Sequence, residues 1–322
     1  MSENIEKMQN VIYHEDDKEG LRIFLRQPSA EAGKTNGEQV GLQPCDMGNW
    51  ENGEAWIAKI EYLTWNDEMP KRLIEFDWRE KKLAGTLDTG KWSEMTGLIC
   101  HINQLTALDI SKNTKLTALI CSYNQLTALN VANTALKDLY CSNNQLTTLD
   151  VSKNTALECL VCTSNQLTEL DVSENTELIK LGCSKNQLTE LDVSKNLKLD
   201  ALDCTNNQLT TLDVSKNAAL ECLFCSNNQL IELDVSGSTA LTGLMCFRNQ
   251  LTALNVSKNT ALTDLNCSNN QLTILDVSKN TKLIMLGCSA NQLTELDVST
   301  NTALKDLESD FNQLTKNNHD NI

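Results

Sequence analysis

The residues of this chain with the most reactive side chains are its thirteen cysteines. Ten of them recur at a nearly fixed interval: Cys100, Cys121, Cys141, Cys162, Cys183, Cys204, Cys225, Cys246, Cys267 and Cys288. A thiolate is a nucleophile and a soft metal ligand, so such a column could bind metal or exchange disulfides. Cys159 and Cys222 each stand three residues before a member of the column and spell C-x-x-C twice, a spacing found in zinc and thiol-exchange sites. Carboxylates form a second column: Asp109, Asp150, Asp171, Asp192, Asp213, Asp234, Asp276 and Asp297. Their Asp-x-Ser-x-Asn context echoes a calcium loop but lacks its glycine, and Lys112, Lys153, Lys195, Lys216, Lys258 and Lys279 lie nearby to offset charge. Gly33-Lys34-Thr35 looks like the end of a phosphate-binding loop, yet Pro28 stands where the first glycine belongs and no apolar strand leads in. No Ser/His/Asp or paired-carboxylate arrangement follows from spacing. The expectation is no catalytic residue, no metal and no cofactor.

What positions these columns is a repeat. Asn-Gln-Leu occurs intact eleven times, beginning at Asn103, Asn124, Asn144, Asn165, Asn186, Asn207, Asn228, Asn249, Asn270, Asn291 and Asn312. The step is 21 residues, except for one step of 20 between Asn124 and Asn144 where a residue is missing. Leu262 to Lys282 is a nearly ideal copy. Its first half alternates Leu265 and Cys267 with Asn266 and Ser268, so period 2 predicts one short parallel strand per turn with the first pair inward. Its second half, Leu-Asp-Val-Ser-Lys-Asn-Thr, is too short for a regular helix and suits extended or short 3₁₀ structure. Asp there is expected to turn back onto its own backbone.

Register then decides the thiol chemistry. Inward cysteines on successive rungs sit ~4.8 Å apart with parallel Cβ vectors, wider than the ~3.5 to 4.5 Å that a disulfide prefers, which predicts free buried thiols. In each C-x-x-C the two sulfurs face opposite sides, and Cys159 and Cys222 are three rungs or ~14 Å apart. These two are expected as exposed, unpaired thiols, which with Cys45 fit a reducing setting better than an oxidising one. His101 beside Cys100 fails as a metal pair for the same reason of alternation.

These units resemble bacterial leucine-rich repeats of 21 residues, and Cys in place of the third consensus Leu resembles the cysteine-ladder type of the internalins. The resemblance covers about residues 73–314. It implies a leucine-rich-repeat solenoid, a right-handed superhelix with short parallel β-strands on the concave face and extended or 3₁₀ turns on the convex face, behind an α-helical N-terminal cap. It also implies that the repeat asparagines, Asn103 through Asn291 in the column above and Asn312 after them, bond the backbone of adjacent turns.

On this reading residues 1–72 are a helical cap region. Helical spacing marks Asp16 to Arg26 and Asp46 to Leu63, Pro28 and Pro70 act as stops, and Ser29 to Gln39 is a loop. Residues 73–94 are a degenerate capping repeat with Trp78 in the cysteine column and bulky Trp92. Residues 95–315 hold eleven repeats and 316–322 are a polar tail.

A net charge of -16 excludes the Lys/Arg stripe that a nucleic acid or an anionic membrane requires. No apolar run approaches the ~18 residues of a membrane span, and Met1 to Lys18 has no apolar signal core. The chain is expected to be monomeric.

What remains for function is the variable outward column between Leu and Cys: Ile99, Ile120, Tyr140, Val161, Gly182, Asp203, Phe224, Met245, Asn266, Gly287 and Glu308. With Ile102, Tyr123, Phe247 and Arg248 from the strand edge it forms two candidate patches for a protein or glycan ligand. Contiguous apolar residues mark interaction sites, although β-surfaces also drift toward such residues without function. The leading expectation is a non-catalytic interaction module, secreted or surface-displayed by resemblance. An intracellular scaffold, and an enzyme with its activity in residues 1–94, are the alternatives.

Overall fold

The structure, a computed structural model, describes residues 11–48, 56–60, 62–132 and 134–314. It forms two compact units, one up to Asn154 and one from Thr155 onward. The polar tail, His319 and the side chain of Cys45 lie outside what is described.

The first unit opens with helix α1 (Glu15–Leu25), followed by the short helices α2 (Asn36–Gln39) and α3 (Pro44–Gly48) and a 3₁₀ turn at Ile57–Lys59. Acidic Glu15, Asp16 and Asp17 crowd the first turn of α1, where the helix dipole favours them, and the His14 ring accepts from the Asp16 amide. The strands are β1 (Leu63–Trp65), β2 (Leu73–Asp77), β3 (Ala84–Asp88), β4 (Gly97–Ile99), β5 (Gln104–Asp109), β6 (Ala118–Ile120) and β7 (Asp138–Tyr140). β1 runs antiparallel to β2, after which β2, β4, β6 and β7 stack in parallel, one per repeat. Trp78 does take a place in the cysteine column: it is fully buried and its carbonyl accepts from Asn103 Nδ2 at 2.8 Å, as the Cys100 carbonyl accepts from Asn124.

Two expectations for this region need correction. Asp46 to Leu63 is not one helix: residues 49–55 and 61 lie outside the described residues, but Ile57–Lys59 is a 3₁₀ turn and Leu63 begins a strand. Leu63, Thr64 and Trp65 pair with Leu73, Glu75 and Phe76, and this hairpin outweighs a helical periodicity carried by only four apolar residues. The loop from Ser29 to Gln39 contains α2, fixed by a capping box in which Thr35 and Glu38 exchange side-chain and backbone bonds. One feature was not anticipated. In the first two turns the wall opposite the main strands is itself a parallel ladder, β3 with β5, before the chain settles into turns.

The helical cap is fastened at Asp17, whose fully buried carboxylate receives Arg72 Nε at 2.9 Å, Arg72 Nη2 at 3.1 Å and the Leu73 amide at 2.9 Å. Trp92 donates from its indole to the Asp17 carbonyl at 3.1 Å. Gly20 is required at this contact, because a Cβ there would stand 2.6 Å from the same indole nitrogen. Phe76 lies between Trp78 and Trp92, tilted against the first with ring centroids 4.0 Å apart and stacked on the second at 5.3 Å, closing the end of the leucine core.

The second unit is the repeat in its regular form. Strands β8 (Cys159–Val161), β9 (Lys180–Gly182), β10 (Ala201–Asp203), β11 (Cys222–Phe224), β12 (Gly243–Met245), β13 (Asp264–Asn266), β14 (Met285–Gly287) and β15 (Asp306–Glu308) pair in parallel without a register slip. In both units the Leu column at the strand centre and the Cys column from Cys100 to Cys288 point inward, almost all of them completely buried, so the chain is a leucine-rich-repeat solenoid with a cysteine ladder inside it.

Candidate interaction surface

The columns the sequence repeats are occupied with building the turns and holding them together. In the asparagine column Asn207 is typical: Nδ2 donates to the carbonyls of Cys183 and Cys204, while Oδ1 accepts from the Leu188 amide. The same pattern recurs at Asn124, Asn186, Asn228, Asn249, Asn270 and Asn291, and partly at Asn312.

A second buried asparagine ladder, not singled out from the sequence, runs along the other wall. Asn196 donates to the Val172 and Asn175 carbonyls, and Asn217, Asn280 and Asn301 repeat the contact. Ser238 takes the place of Asn in one turn and reaches only the Val214 carbonyl. The signal was present in Val-Ser-Lys-Asn, read there only as turn chemistry.

The aspartates bend back as expected. Asp109, Asp150, Asp171, Asp192, Asp213, Asp234, Asp276 and Asp297 each accept the amide of the serine two residues on at 2.8 to 2.9 Å. For Asp109, Asp150, Asp192, Asp234 and Asp276 that backbone bond is the main reason their carboxyls titrate below the usual range; for Asp213 and Asp297 the serine hydroxyl leads. Among the described residues no group of three or more His, Cys, Asp or Glu is placed to hold a metal ion.

The cysteine column is buried throughout. Desolvation pushes the thiols of Cys100, Cys162, Cys246 and Cys288 up to about 12, and those of Cys121, Cys183, Cys204, Cys225 and Cys267 well above the ordinary value. A thiol held protonated is neither nucleophile nor metal ligand. The expectation of two exposed thiols is half corrected. Cys222 is half-buried, but Cys159 is 7% exposed. Cys159 lies in register with Lys180, whereas Cys222 lies beside Gly243, which has no side chain to cover it.

The irregular column does face outward. In the first unit Ile99, Ile120 and Tyr140 stand in register on β4, β6 and β7, each half-buried. In the second unit Val161, Phe224, Met245 and Phe247 line that unit's strand wall; Phe224 and Met245 are in register, and Phe224 is 36% exposed.

Ile102, Tyr123 and Arg248 are not strand-edge residues. They occupy the turn that follows each strand, with φ of +56°, +56° and +53°. The position is left-handed in every repeat, and Asn143, Asn206, Asn227 and Asn269 hold it in others. Asn tolerates this conformation, whereas a β-branched residue there is strained by ~1–3 kcal/mol. Ile102 and Tyr123 sit on adjacent turns and are 45% and 57% exposed. A shallow groove runs beside them, lined by Glu80, Lys82, Gln104, Gln125 and Asn143. Sequence reasoning also passed over Ile231 and Ile274, 57% and 68% exposed on the opposite half of the turn. They stand singly among polar neighbours and need no special account.

No helix among the described residues is long and apolar enough to cross a membrane.

Comparison with known proteins agrees with this geometry. The LVIVD repeat matches residues 267–291. No curated protein matches the chain. The solved functional domain of InlJ from Listeria monocytogenes, which includes a cysteine ladder, is similar at 41% identity over 76% of this chain, with a TM-score of 0.74. This chain spans 55% of that structure's length. An internalin, InlF, from the same organism aligns with 95% of this chain and 92% of its own at 22% identity and a TM-score of 0.64. The leucine-rich effector YopM from Yersinia pestis aligns over 74% and 78% at 24% identity and 0.60. The last two show likeness of fold alone.

Proposed function

Because the chain is a leucine-rich-repeat protein of the internalin-like, cysteine-ladder type, we propose that it is a non-catalytic interaction module. It binds a protein ligand through the outer face of its strand wall, and is secreted or displayed on a bacterial surface. The observation that carries this reading is the pair Ile102 and Tyr123. Each leaves a large side chain about half exposed on a left-handed backbone that Asn holds in four other repeats, a cost that a bound ligand would offset. Beside them Ile99, Ile120 and Tyr140 extend the patch across three rungs. Phe224, Met245, Phe247 and Arg248 supply the aromatic and Arg anchors of a second patch, with Val161 further along the same wall.

A glycan is the second reading, favoured by the amides of Gln104, Gln125 and Asn143 along the groove at Tyr123, which suit neutral hydroxyl groups. Binding isotherms against a ligand captured by the intact chain test the assignment. Tyr140→Ala, Phe224→Ala or Phe247→Ala should each weaken binding by about tenfold or more, as truncation of an interface anchor does. Unchanged affinity in all three removes the strand wall from the account.

A further inference from the structure

The strand wall of the second unit combines its aromatic patch with carboxylates that have no cationic partner among the described residues, although Asp203 accepts from the Thr205 amide and Asp264 from the Thr263 hydroxyl. Asp203 stands in register with Phe224, one rung or ~4.8 Å away. Asp200 and Glu221 adjoin across the same two rungs, since the Glu221 amide donates to the Asp200 carbonyl at 2.8 Å. Asp264 lies beyond, in register with Gly243.

Among the described residues none of these four carboxylates forms an ion pair. Lys180, in register with Ala201, pairs with none of them, and Arg248 lies at the turn edge and does not reach them. Asp200 Oδ1 is sealed from solvent with no donor. Like charges on adjacent rungs repel, and a buried carboxylate oxygen without a donor is costly. A cation arriving from outside relieves the repulsion. Ala201, Cys222 and Gly243 leave a low floor between the carboxylates and the rings.

We propose that this wall docks a protein segment carrying lysine or arginine beside an apolar residue, with the apolar side chain on Phe224 and Met245 and the cation among Asp200, Asp203 and Glu221. Carboxylates next to an aromatic face hold an ammonium or guanidinium by charge and by attraction to the ring together. The proposal rests on the reading of the strand wall as an interaction surface and names the chemistry of its partner.

The test uses the full chain and a short fluorescent peptide alternating Lys and Val, with a Glu and Val peptide for comparison. The Lys peptide should bind and the Glu peptide should not. Asp203→Asn with Glu221→Gln should weaken Lys-peptide binding about tenfold, a loss of the size measured for close interfacial charge pairs. Asp234→Asn with Asp276→Asn removes the same charge from the opposite wall and should change nothing. That column already holds Asn255, which makes the same turn bond to Ser257 at 3.0 Å. Equal weakening by both double variants, or by neither, overturns the proposal. Phe224→Ala separates the two levels. If it abolishes binding while the Asp203 and Glu221 double variant does not, the charge assignment alone falls; if it too has no effect, the strand-wall reading falls with it.

Discussion

An L-residue at φ near +56° brings its Cβ close to its own backbone, and Asn relieves this where Ile and Tyr do not. Ile102→Asn with Tyr123→Asn should therefore stabilise the fold by ~1 kcal/mol, read as a higher urea midpoint with unchanged slope, while weakening ligand binding. If stability and affinity fell together, these residues would be structural. The asparagine ladder predicts the opposite behaviour at neighbouring positions. Asn207→Ala leaves the Leu188 amide without its acceptor, while the Cys183 and Cys204 carbonyls keep Asn186 and Asn228 as donors, and should cost ~1–3 kcal/mol with no change in binding outside that loss. The inward Leu and Cys and the outward column were legible because period 2 fixes which residues share a face, whereas the bonding of the Asn-Gln-Leu asparagines followed from the resemblance to leucine-rich repeats. The left-handed turn was not read: its residue type varies from Ile to Lys to Asn, and only the recurrence of Asn at four positions hinted at it.

At the scale of elements, the helical cap depends on one buried ion pair. Asp17→Ala leaves the Arg72 guanidinium and the Leu73 amide facing an apolar end, and should cost ~3–5 kcal/mol by thermal melt. The burial of the thiol ladder makes a second prediction. In a Cys45→Ser background at neutral pH, a thiol reagent followed by mass mapping should label Cys222 well ahead of Cys204, whose thiol is held protonated by desolvation. Equal labelling would mean that the turns open. The first helix was readable from its spacing and acidic first turn. The β1 hairpin was not, because Leu63, Thr64 and Trp65 find their partners only once the chain has turned back through Pro70 to Leu73.

At the scale of the molecule, the aspartate column ties stability to pH. Carboxyls depressed in the fold contribute fully above their unfolded pKa, near 4, and the contribution is lost as pH falls through the lower folded values. Stability should thus drop steeply below about pH 4, and replacing Asp192, Asp213, Asp234 and Asp276 by Asn should flatten that drop while leaving the neutral-pH midpoint little changed. The central claim concerns the other wall: binding belongs to the irregular outward residues and the repeated columns are scaffold. Hydroxyl-radical footprinting with and without saturating ligand tests it most directly, because aromatic and Met side chains report their own exposure. The account predicts that oxidation of Tyr123, Tyr140, Phe224 and Met245 falls on binding while that of Ile274 does not. Protection confined to Ile231 and Ile274, with those four unchanged, would contradict it.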